Sequence, residues 1–100
     1  MSLRLLEVPR LVPTPREQYL RQNETRIRSL ALPLEKDDPA IRTHHQAILL
    51  CEDLIEIHDC ACDRQKAIGA HRVADTHARY RDSARQLLLH HLDQLAHLLI

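Results

Sequence analysis

The segment His44–His71, HHQAILLCEDLIEIHDCACDRQKAIGAH, places four of the chain's eight histidines and all three cysteines within 28 positions. Imidazole and thiolate are preferred zinc ligands, and both can also serve as proton carriers or nucleophiles. Spacing narrows the choice. His58 and Cys62 stand at i and i+4 and share a helix face, whereas Cys60 and Cys62 in CAC turn to different faces and no C-x2-C pair occurs. The candidate metal set is therefore His58, Cys62 and His77, with a carboxylate, water or another chain completing it. The competing interpretation is a helical face that uses His and Cys as modest-sized core residues, a commoner role for both. The core interpretation is the stronger, so neither a metal nor another cofactor is expected.

Catalysis has little support. Cys60 lies among Glu56, Asp59 and Asp63, whose charges disfavour a thiolate, and no histidine shares its face. The sequence holds no G-x-S-x-G, P-loop, H-E-x-x-H or dinucleotide fingerprint, and no enzymatic activity is expected.

The elements that position these residues read as helices. Leu and Ala are abundant, Phe and Trp are absent, and one glycine and two tyrosines occur in 100 residues, a composition that favours an all-α protein. TPRE at Thr14–Glu17 has the form of a capping box with Pro15 at the first helical position, and predicts a helix over 15–31 that Pro33 ends. Asp38 and Pro39 repeat the start signal after the polar linker EKDDP and open a helix over 39–64. Gly69 in RQKAIGA marks the next stop, and a third helix follows over 70–99. Residues 1–13, with Leu3, Leu5, Leu6, Val8 and Leu11 among prolines, read as an extended apolar arm. The whole is one helical domain over 1–100.

On a helical wheel, the apolar sector of 39–64 centres on Ala47, Cys51, Leu54, His58 and Cys62, flanked by Leu50, Ile55, Ile57 and Ala61, with Glu52, Asp53, Glu56, Cys60 and Asp63 opposite. The inward sector of 70–99 holds Val73, Thr76, His77, Tyr80, Ala84, Leu87, Leu88, His91, Leu95 and Leu98. Paired as an antiparallel hairpin, the two helices bring His58 near His77 and His44 near His91. Cys51, Leu54, His58, Tyr80, Leu87, His91 and Leu95 are the expected dimer or core residues. Sectors this wide exceed what one pairing buries, and the polar 15–31 helix cannot cover the surplus. Homodimerisation into a bundle is expected to complete the core.

His45, His90 and His97 read as exposed histidines without a role. A pH-responsive element is an alternative: His90 and His91 near a helix C-terminus would gain from the dipole when protonated, and buried His58 or His77 would lose charge by desolvation.

Fourteen Lys+Arg balance fourteen Asp+Glu, which gives no support for a nucleic-acid partner bound through phosphates. The charge is segregated, at +3 over 1–32, −6 over 33–63 and +3 over 64–100. An odd cysteine count suits a reducing compartment. No signal-peptide run or stretch of ~18 apolar residues appears, so a cytoplasmic protein without membrane contact is expected.

The run AIRTHHQAILLCEDL, Ala40–Leu54, opening a long helix after an acidic linker, resembles the first long helix of TraM-type quorum-sensing antiactivators. VADTHARYRDSARQLL, Val73–Leu88, is compatible with that family's second long helix. The resemblance covers about half of the chain. It implies a small, dimeric, helical protein that binds and blocks a LuxR-type transcriptional regulator, a role shared by QslA-type antiactivators. Candidate partner contacts are Leu3, Leu5, Leu6, Val8 and Leu11 of the arm, with Tyr19, Arg26 and Arg28 of the first helix, since aromatic and Arg side chains commonly anchor interfaces. The alternatives are a metal- or pH-responsive sensor built on His58, Cys62 and His77, and a structural subunit of a larger assembly.

Overall fold

The computed structural model describes residues 12–100. The expected arm, with Leu3, Leu5, Leu6, Val8 and Leu11, lies outside the described residues. Those described form α1 (Pro15–Gln22), α2 (Glu24–Ala31), a 3-10 turn (Leu32–Leu34), α3 (Pro39–Ala67) and α4 (His71–Leu99).

The start signals act as their chemistry dictates. Thr14 Oγ1 accepts a hydrogen bond from the Glu17 N–H at 3.1 Å, and Asp38 Oδ1 accepts from the N–H groups of Ala40 and Ile41 at 3.0 and 3.3 Å. Each satisfies donors that a helix's first turn leaves without partners. At the far end of α3, the Ala70 N–H donates to the Gln65 carbonyl and the Gly69 N–H to that of Lys66, at 2.9 and 3.0 Å. Gly69 has φ +78°, which a side-chain-bearing residue adopts only at a cost, so the glycine permits this Schellman closure.

The helix expected over 15–31 is two helices. Asn23 interrupts it with φ −107° and ψ 8°, and its Nδ2 donates to the Tyr19 carbonyl at 2.8 Å. An asparagine that binds the backbone locally competes with helix continuation. The break lets α1 and α2 wrap around one end of the hairpin. The second helix runs three residues beyond the expected end, to Ala67, and the third begins at His71.

α3 and α4, 29 residues each, form a long antiparallel hairpin. Such a helix spans about 44 Å, close to the molecule's 48 Å long axis. The radius of gyration, 15.6 Å, exceeds the ~13 Å of a compact 100-residue domain. The excess reflects a hairpin only partly wrapped. Leu20, Ile27 and Ala31 of α1 and α2 cluster with Ile41, Ile48, Leu89, Leu92, Leu95 and Ala96 at the open end. Towards the turn, the buried positions are small: Cys51, Ala61, Cys62, Ala74 and Ala84.

Candidate functional site

Two histidine pairs bridge the hairpin. His44 and His91 lie with their Nδ1 atoms 2.9 Å apart, and His58 and His77 at 3.0 Å, one Nδ1–H donating to the other Nδ1 in each pair. Both pairs sum to 135, which sets the register of the seam. Cys51 and Ala84 are seven residues from each pair and share the level midway, both buried. The Tyr80 ring packs against His58 at 5.3 Å between centroids.

The seam brings together the predicted His58 and His77 but does not make a metal centre. Among the described residues, no three His, Cys, Asp or Glu side chains converge as a ligand set. Cys62 is buried one turn along α3, and Cys60 faces outward as expected.

His91 departs from its expected electrostatics. Burial, followed by the nearby His44 and His90, lowers its pKa from 6.5, so the helix-end dipole does not govern it. His45, expected to be exposed, is buried and hydrogen-bonded to Glu35. That bond ties the linker to α3. His90 and His97 are exposed, His97 Nδ1 donating to the Asp93 carbonyl at 2.8 Å.

Two sides of the hairpin differ in chemistry. On the side where α2 packs, the turn half is polar, with Arg81 bound to Asp59 at 2.9 Å. Turning α3 by about 160–200° from Ile41, Ile48 and Asp59 reaches Leu50 and Ile57, which are exposed together with Tyr80, Leu87 and Val73 of α4. Leu54 is half-buried among them. The expected inward set therefore divides. Cys51 and Leu95 are core, and His58 and His91 line the seam. Tyr80 and Leu87, with Leu50, Ile57, Val73 and Leu98, face outward instead. A wheel shows the width of an apolar sector, but it cannot show which part of that width a neighbour covers.

The N-terminal layer presents a second surface. Tyr19 is 36 % exposed and stacks under the Arg16 guanidinium at 5.1 Å, and Arg26, Leu30, Leu32 and Leu34 are exposed. Arg28 is committed elsewhere. Its guanidinium makes two hydrogen bonds to Glu52, at 2.8 and 3.0 Å, and one to Glu24, which raises its pKa. It clamps α2 to α3 through the half-exposed Glu52, so the expected partner contact is an internal tie. Sequence reasoning missed both this clamp and the His45–Glu35 bond. Spacing within a helix carries no record of a partner 24 or 10 residues away.

Comparison with protein-family models, curated proteins and solved structures found no match. No helix among the described residues is long and apolar enough to cross a membrane.

Proposed function

We propose that this protein works by binding other proteins, and that its target is a LuxR-type transcriptional regulator which it sequesters. The observation that carries the binding role is the quantity of large apolar side chain left in water. Among the described residues, fourteen large apolar side chains are exposed, matching the fourteen apolar residues of the core. Five of them, Leu50, Ile57, Val73, Tyr80 and Leu87, lie on one side of the hairpin, and extended apolar patches mark interaction sites. The N-terminal layer supplies the regulator contact: Arg26 and Leu30 stand one turn apart, with Leu32 and Leu34 following and Tyr19 on α1. The choice of regulator rests on the resemblance of Ala40–Leu54 to the antiactivator helix. Co-expression with a LuxR-type regulator is expected to lower transcription from its target promoter and to yield a complex that survives size exclusion. A reporter that stays fully active, with the two proteins eluting separately, rejects the target.

A second role, as a pH-responsive element, is favoured by the two histidine pairs. A neutral pair satisfies itself with one N–H and one lone pair, and a second proton places like charges 3 Å apart. His91 has a folded-state pKa below 6.5, with His44 facing it from α3 and His90 beside it on α4. The unfolded chain therefore binds the proton more readily. Stability from this group is fully present above about pH 6.5 and is lost as pH falls through and below that value. Melting followed by circular dichroism is expected to occur at a lower temperature at pH 5 than at pH 7.5. His91→Gln should flatten that dependence, and an unchanged acid sensitivity in this variant would assign the effect to other groups.

A further inference from the structure

We propose that the apolar side of the hairpin's turn half is a docking groove for one amphipathic helix of a partner protein, a helix that carries acidic side chains along both flanks of its apolar stripe. The inference rests on reading the chain as a protein-binding module, and it names the partner chemistry of a surface separate from the N-terminal layer.

Two apolar ridges form the groove. On α3, Leu50, Leu54, Ile57 and Ala61 follow one another at intervals of four, three and four, and on α4 Val73, Tyr80 and Leu87 repeat every seven. Leu50, Ile57, Val73, Tyr80 and Leu87 are 46 to 61 % exposed. These are the spacings at which helices pack on helices. The hairpin already accepts a helix on its other side, where Ile27 and Ala31 of α2 cluster with Ile41 and Ile48 of α3 and with Leu92 and Leu95 of α4. From Leu50 to the end of α3 the groove is about 26 Å long, which holds about five turns of helix.

Charge on the rim selects the occupant. The line that each helix turns to the other is given by His44, Cys51 and His58 on α3 and by His77, Ala84 and His91 on α4. Turning from that line through the apolar ridge, Arg64, Arg72 and Arg79 come at about 120–140° and Asp53 at about 160°. Glu56 comes at about 140° in the opposite sense, and Asp75 faces directly away from α3. The rim therefore carries three arginines against one acid. All three arginines are exposed, and none makes an ion pair among the described residues. Their long stems reach from the crest of each helix over whatever lies in the groove.

This excess argues against the apolar segments nearest at hand. A second copy brings the same three arginines to the same rim, and residues 1–11 carry Arg4 and Arg10 against Glu7. Both have the wrong sign, and like charges brought together at an interface are unfavourable. A flat anionic bilayer has the right sign but leaves the valley between the two ridges unfilled. A helix with an apolar stripe fills that valley, and Asp or Glu on its flanks meets Arg64 on one side and Arg72 and Arg79 on the other. Rim pairs of this kind add little affinity but fix register and exclude wrong partners.

The probe is a fluorescein-labelled synthetic helix of about five turns, with Leu at intervals of three and four and Glu on both flanks of that stripe. Its twin has Lys in place of every Glu. Binding to the full-length chain is read by fluorescence anisotropy. The Glu helix is expected to bind about tenfold more tightly than the Lys helix, a preference that high salt removes. Ile57→Gln should weaken the Glu helix by about tenfold or more, as loss of a central anchor does. Arg64→Glu combined with Arg72→Glu should reverse the preference, while Leu32→Gln in the N-terminal layer changes neither. Should Ile57→Gln lose its helical circular dichroism, the exposed charge variant decides. Equal affinity for the two helices, or a preference that the charge variant leaves intact, overturns the proposal. Self-association in sedimentation equilibrium that Ile57→Gln dissolves overturns it in favour of a second copy. Tighter probe binding after deletion of residues 1–11 does so in favour of the arm, and pelleting with phosphatidylglycerol vesicles that Ile57→Gln abolishes does so in favour of lipid. Probe binding without repression of the reporter rejects the LuxR-type target and leaves the groove standing, whereas repression by a chain indifferent to the probe does the reverse.

Discussion

Cys51→Asp is expected to prevent cooperative folding at neutral pH, while Cys51→Ala folds with a modest loss of stability. Cys51 is 2 % exposed, midway along the seam, level with the small Ala84. Burial already pushes its thiol pKa up, the direction expected where negative charge is poorly solvated. A carboxylate there lacks a cation: His44 and His58 are each seven residues away, about 10 Å along the helix. An unpaired buried charge costs several kcal/mol, against a total stability of about 5–15 kcal/mol for a domain of this kind. Cys51→Ala removes only a sulfur's contacts, on the order of 1 kcal/mol. Circular dichroism with thermal unfolding separates the outcomes. An Asp variant that melts cooperatively within a few degrees of wild type would mean that the seam admits water.

Leu92→Ala should be the second most damaging change, and its contrast with Leu87→Ala tests the division of the hairpin into covered and uncovered sides. Leu92 is fully buried in the cluster that holds α1 and α2 on the hairpin, whereas Leu87, five residues earlier on the same helix, is 47 % exposed. Truncating Leu92 loses the transfer free energy of the side chain and leaves a cavity, together about 2–5 kcal/mol. For a chain of this length that lowers the melting temperature by roughly 8–40 °C at ~4–8 °C per kcal/mol. Truncating Leu87 costs about 0.5 kcal/mol or less. Chemical denaturation of the two variants reads both quantities. Equal losses of stability would contradict the burial pattern.

Much of this architecture is legible in the residues. Caps at Thr14 and Asp38, the stop at Gly69 and the antiparallel return that pairs His58 with His77 and His44 with His91 follow from local chemistry and register. These features depend on groups within a few residues or on a constant sum of positions, so a linear string contains them. Asn23 was the local signal that went unused: its side chain can compete for backbone groups, and here it splits one helix into two.

The sequence by itself determined the helices, their order and the antiparallel pairing of the long ones, because capping groups, helix breakers and apolar periodicity act over one turn. Only the tertiary structure decided which flank of each wide apolar sector is core. The placement of Ile27 and Ala31 covers Ile48 and Leu92 but leaves Ile57, Tyr80 and Leu87 outside. It also decided that Arg28 clamps α2 to Glu52, that His45 is buried on Glu35, and that His58 and His77 meet as a pair without a third ligand. The reason is physical. Helical periodicity sets the direction in which a side chain leaves its own axis, whereas burial, pairing and proton affinity depend on which other axis lies in that direction.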